Sequence, residues 1–143
     1  MTSPYADKVN GTKYIADREN NANVSEFCLN FEDGKGSLDF TMNGERYTID
    51  FGLGENLFYD FSFGTRPVLD MMGKNEEGTF KCAASGAWLS EDTFAISLQV
   101  IDTYFGGLNI RVSYKDEYAT LLIKKYGQYV FDGVGGYAIG KLR

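Results

Sequence analysis

The chain has 143 residues, which suits one domain that buries roughly 70% of the surface its unfolded form would expose. Apolar residues make up 43% and aromatics 15%, ample for a core, while only two prolines and 24% charged residues argue against a disordered tail. The formal net charge is −6, from 20 acids against 14 bases, so phosphate backbones and anionic membranes are repelled and neither nucleic acid nor membrane is an expected partner.

No apolar run approaches the roughly 20 residues that a spanning helix needs. Met1 to Asn10 also lacks the basic start and apolar stretch of a signal peptide. The compartment is left open. In chain order, Phe27, Leu29 and Phe31 come first, alternating with polar neighbours as a strand requires. Cys28 falls on the opposite face, with Glu26 and Asn30. Glu32-Asp33-Gly34-Lys35-Gly36 turns the chain, and Leu38, Phe40 and Met42 resume the alternation up to Asn43-Gly44. That dipeptide is a strong hairpin signal, because both turn residues must accept positive φ. A two-residue loop there pairs Phe40 with Tyr47 and Leu38 with Ile49, which keeps both apolar sets on one face.

Arg66 to Gly78, with a proline, a Met pair and a polar run, predicts a long loop of the kind that often carries function. Cys82 shares a face with Phe80, Ala84 and Trp88, which reads as inward. Opposite faces for Cys28 and Cys82 predict two free thiols rather than a bridge. Further strands follow at Phe94 to Val100, Leu108 to Tyr114 after Gly106-Gly107, and Tyr118 to Tyr126 after the polar Lys115-Asp116-Glu117 turn. Tyr137 to Leu142 closes the sheet. The prediction is a single all-β domain over 1–143: an antiparallel meander closing into a lipocalin-like β-barrel of eight or more strands. A β-sandwich satisfies the same alternation and is the alternative.

Chemistry is sparse. There is no histidine, which removes the usual general base and the commonest zinc ligand. Gly52-Leu53-Gly54 and Gly133-Val134-Gly135-Gly136 lack the Gly-Lys pair of a phosphate loop and read as turns. Asp60, Asp70 and Asp102 lie beside aromatics, where a raised pKa would suit an acid catalyst, but a solvated turn or a cap explains each equally well. Asn10-Gly11-Thr12 and Asn23-Val24-Ser25 match the glycosylation sequon. No metal site and no cofactor are expected. The candidate ligand-binding residues are Trp88, Tyr59, Phe61, Asp102, Tyr104 and Phe105, aromatics and an acid near strand ends. They would line a cavity at a barrel mouth or form a stacking platform for sugars, unless they are plain barrel filler.

Several segments resemble a known family. Val9-Asn10-Gly11-Thr12-Lys13-Tyr14 is similar to the opening strand of the C-terminal β-barrel appended to bacterial serine hydrolases of the class C β-lactamase and penicillin-binding type. The likeness continues through Phe27 to Phe31, the Asp33-Gly34 turn and Phe51-Gly52-Leu53-Gly54. Ala84-Ser85-Gly86-Ala87-Trp88-Leu89-Ser90-Glu91-Asp92-Thr93-Phe94 is its most specific stretch, followed by Val100-Ile101-Asp102-Thr103-Tyr104-Phe105. Tyr104 stands where that family usually has proline, and Gly106-Gly107 where a charged pair is expected.

The resemblance implies an accessory domain, the C-terminal part of a longer protein, that supports or gates a hydrolase catalytic domain in the same chain. The hydrolase's own signatures, Ser-x-x-Lys and Lys-Thr-Gly, are absent from the sequence, so the domain itself is expected to be no enzyme. Two other functions fit the residues. One is a free-standing lipocalin-like barrel that binds an apolar small molecule. The other is a glycan-binding module.

Overall fold

The structure is a computed structural model and describes residues 4–16, 19–62, 79–101, 106–126 and 136–142. Within them a short helix, α1 (Ala6–Val9), precedes ten strands: β1 (Thr12–Ala16), β2 (Val24–Glu32), β3 (Lys35–Met42), β4 (Glu45–Leu53), β5 (Leu57–Ser62), β6 (Thr79–Trp88), β7 (Thr93–Val100), β8 (Gly106–Lys115), β9 (Tyr118–Tyr126) and β10 (Gly136–Leu142). The strands form one sheet in the order β4-β3-β2-β1-β10-β9-β8-β7-β6-β5, and β4 also pairs with β6. That last pairing closes the ring. The fold is the predicted barrel and not a sandwich.

Local chemistry explains the tight turns. Asn43 and Gly44 both take positive φ, 53° and 80°, and the loop sets Phe40 against Tyr47 and Leu38 against Ile49, the register predicted from the dipeptide. Asp33 and Gly34 repeat the device at 48° and 77° between β2 and β3. The ring itself is made by distant partners. Tyr14 of β1 pairs with Leu142 of β10, while Gly52 and Leu53 of β4 run parallel to Ser85 and Gly86 of β6.

Along the strands alternate residues turn inward, and they merge into one apolar cluster that includes Phe27, Leu38, Ile49, Leu98, Ile110 and Leu121. Burying one such side chain contributes about 1.5–3 kcal/mol, so this lining carries most of the stability. Cys82 belongs to the inner set and Cys28 to the outer, as the alternation predicts, and neither is disulfide-bonded. The opening segment departs from its predicted strand. Ala6–Val9 form a helical turn that buries Val9, and the strand begins only at Thr12 after Gly11 at φ 73°.

Candidate functional site

The two ends of the barrel differ. The end holding the β2–β3, β6–β7 and β8–β9 turns is packed with aromatic rings from opposite walls. Phe94 of β7 meets Phe31 of β2 at 5.2 Å, Phe51 of β4 at 5.4 Å and Trp88 of β6 at 5.2 Å between centroids. Tyr114 of β8 stands 5.6 Å from Tyr14 and 6.1 Å from Trp88. Tyr5, beside α1, stacks on Tyr114 at 5.9 Å and packs against the core. Burial pushes the Tyr14 and Tyr114 phenols above their ordinary value, so both stay neutral. This end is shut.

The wall that makes room for the rings is glycine. A Cβ on Gly86 would lie 2.7 Å from the Phe51 and Phe94 rings, and one on Gly140 would lie 2.9 Å from Phe27. Asn10 ties α1 to the same end: its amide donates to the Phe31 carbonyl at 3.2 Å and accepts from the Phe31 N–H at 2.8 Å.

The far end is where β5, β7 and β9 finish and β6, β8 and β10 begin. Toward it the inward lining changes character. Phe40 and Tyr47 form one ring pair at 5.6 Å. The rest is aliphatic or small: Val24, Met42, Cys82, Leu98, Val100, Leu108, Ile123 and Ala138. Two charged residues sit on inward rows here. Lys125 follows Ile123 in the alternation of β9, is half-buried and pairs across the sheet with buried Leu108. Glu45 precedes Tyr47 on β4 and accepts a hydrogen bond from the Tyr47 hydroxyl at 2.8 Å.

β4 and β5 are chain neighbours but are not paired, so the wall has a seam between them. Tyr59 of β5 reaches into it. Its hydroxyl accepts a hydrogen bond from the Asp50 N–H at 3.0 Å, and its ring packs on the core. Burial, first, and the neighbouring Cys82 push the Tyr59 phenol upward, so it remains a neutral hydrogen-bonding group.

The sequence-predicted site residues are therefore not one cluster. Trp88 belongs to the shut end, half-buried and edge-on to Phe94. Tyr59 lies in the seam. Phe61 continues β5 toward the far end. Asp102, Tyr104 and Phe105, together with Asp70 and the loop predicted at 66–78, lie outside the described residues. Sequence reading missed Lys125 and Glu45. Their signal was parity alone, because each extends an inward apolar row by one step.

Outside the barrel, the Asp39 carboxylate accepts from the Thr48 hydroxyl at 2.6 Å and the Asn30 amide at 3.0 Å, which satisfies it structurally. Burial and then Asp39 push the half-buried Cys28 thiol upward, against a smaller opposite pull from Lys13. An open groove of about 640 Å³ crosses the outer face of β6–β9, with Ser85, Ala87, Ala95, Ser97, Arg111 and Lys124 among its lining. Among the described residues no group of three or more Cys, Asp or Glu is placed to hold a metal.

No family model and no curated protein matches the sequence. Solved structures do match the fold. A fatty-acid-binding protein from the brain of Drosophila melanogaster superposes with a TM-score of 0.58 at 13% identity, over 93% of this chain and 98% of that one. A Schistosoma mansoni fatty-acid-binding protein in complex with arachidonic acid gives 0.59 at 11%, over 96% and 98%. Apo lipid-binding protein 8 of Caenorhabditis elegans gives 0.58 at 6%, over the whole of both chains. These likenesses overturn the resemblance to the accessory barrel of class C β-lactamase-type hydrolases, and they lend no support to the expected catalytic partner domain or bacterial hydrolase setting. The motifs that suggested it are alternating apolar residues and glycine turns, which any small barrel needs. In fold, the chain is similar to the barrels of fatty-acid-binding proteins.

Proposed function

We propose that the chain is a binding protein, not an enzyme, and that it holds an apolar or amphipathic small molecule in the half of the barrel away from the aromatic plug. The observation that carries this reading is the asymmetry of the lining. Eight strands enclose an interior just wide enough for side chains to fill, and the diameter grows with strand number. Nine strands close this ring through the β4–β6 pairing, with β5 beside β6, while Ala84, Cys82 and Ala138 supply little filler toward the far end. Bulky rings are concentrated at the other end.

The ligand class follows from the lining and from the likeness to barrels named for fatty acids. A long-chain carboxylate would lay its tail along Leu98, Leu108 and Ile123 and bring its head to Lys125 at the end of the same inward wall. Binding sites of this type are mostly apolar with a few placed polar groups. Methyl-detected NMR of the delipidated protein titrated with a fatty acid tests the site. Shifts should concentrate on Val24, Leu98, Val100, Leu108 and Ile123 and spare Val9 and Val112 near the plug. Shifts confined to surface methyls would rule out an interior ligand.

A further inference from the structure

The net charge of −6 predicts repulsion from anionic membranes, but that charge is unevenly placed. β2, β3 and β4 carry Glu26, Glu32, Asp39, Glu45 and Asp50 against Lys35 and Arg46. β8, β9 and β10, on the opposite side of the ring, carry Arg111, Lys115, Lys124, Lys125 and Lys141 and no acid within the strands; Asp116 and Glu117 stand at one end of this face, in the β8–β9 turn. Of these, Arg111, Lys115, Lys124 and Lys141 are exposed on the outer face.

The same face bears apolar surface. Tyr118, Tyr137 and Ile139 are 44%, 51% and 47% exposed, whereas the other exposed large apolar side chains of the described residues lie elsewhere: Phe58 on β5, Leu89 just after β6 and Ile101 just after β7. Strand register sets the two kinds of residue side by side. Arg111 opposes Leu122, which opposes Tyr137; Thr120 opposes Ile139; and Tyr118 lies between Lys115 and Lys141. The Lys141 ammonium stands 6.0 Å from the centre of the Tyr118 ring. The groove beside Arg111 and Lys124 adjoins this patch and gives a headgroup room between them.

We propose that the outer face of β8–β10 docks on an anionic lipid surface. Tyrosine and isoleucine at its centre suit the headgroup boundary, and the surrounding cations meet anionic lipid phosphates. Three of the four cations are lysines, a residue depleted from protein–protein interfaces, so a lipid surface fits better than a protein partner. The acidic β2–β4 side then faces away, which fixes the docked orientation. The proposal does not depend on what the barrel holds.

Co-sedimentation with vesicles of phosphatidylcholine alone or mixed with phosphatidylglycerol tests it. Binding should need phosphatidylglycerol and weaken as salt rises, since screening shortens the reach of exposed charges. Replacing Arg111, Lys124 and Lys141 together by Gln should weaken binding about ten-fold or more, and Tyr137→Ser with Ile139→Ser should do the same, with circular dichroism unchanged in both. Equal binding to both vesicle types, no binding by folded protein, or folded variants that bind like the parent would overturn the proposal. So would self-association abolished by the Tyr137 and Ile139 changes without vesicle binding, which would make the face an interface between copies.

Discussion

The Tyr59 hydroxyl bridges the seam between β4 and β5, taking the Asp50 N–H at 3.0 Å where no strand ladder joins the two. The bond does locally what a backbone ladder does elsewhere in the wall. Tyr59→Phe should keep the packed ring and lose the acceptor, leaving a backbone donor to water. The expected cost is about 1 kcal/mol, with faster hydrogen exchange at the Asp50 amide. Exchange unchanged at Asp50 would mean the seam is held by other contacts.

The aromatic plug depends on a missing side chain. At Gly86 a Cβ would come within 2.7 Å of both the Phe51 and Phe94 rings, which are locked by rings on the opposite wall. Gly86→Val should therefore overpack the shut end and cost about 1–3 kcal/mol in urea unfolding. Phe94→Ala, which opens a cavity in the same place, should cost about 3–5 kcal/mol. A Gly86→Val protein as stable as the parent would show that this end yields.

The outer thiol supplies a pH test. Burial and the Asp39 carboxylate hold the Cys28 thiol above its ordinary value, so less thiolate is present at pH 8 than on a free cysteine. Its reaction with a disulfide reagent should be slow at that pH and accelerate as pH rises past the ordinary cysteine range. Asp39→Asn should lower the pKa and speed the reaction, and Lys13→Gln should slow it further. A rate in the parent equal to that of free cysteine would contradict the assignment.

Much of this wall was legible from the sequence because hairpin rules are local. Asn43-Gly44 fixed the pairing of Phe40 with Tyr47, and alternation placed Cys82 inside and Cys28 outside. The closing contacts were not legible. Tyr14 meets Leu142, and Gly52 meets Ser85, through ring geometry that no local pattern encodes. Helix α1 has four residues, too few for a helical period to register. The candidate site was the least legible part. Trp88 was grouped with Tyr59 and Phe105 by strand-end position, yet β6 carries Trp88 up to the shut end while β5 runs away from it. Which end a residue occupies depends on strand direction around the whole ring.

Lys125 separates the kinds of amphiphile. If its ammonium receives a carboxylate at the far end of the barrel, Lys125→Gln should weaken a long-chain fatty acid about ten-fold, or about 1.4 kcal/mol, and leave the matching alcohol unchanged. Equal losses for both would assign Lys125 to the wall rather than to the ligand head.

The most direct measurement is a calorimetric titration of the delipidated protein with a long-chain fatty acid at two temperatures. The account predicts saturable binding at one site, a negative heat-capacity change from burial of the tail, and little change in the emission of Trp88, which packs among the rings of the opposite end. A folded protein that gives no saturable heat would contradict the binding function outright.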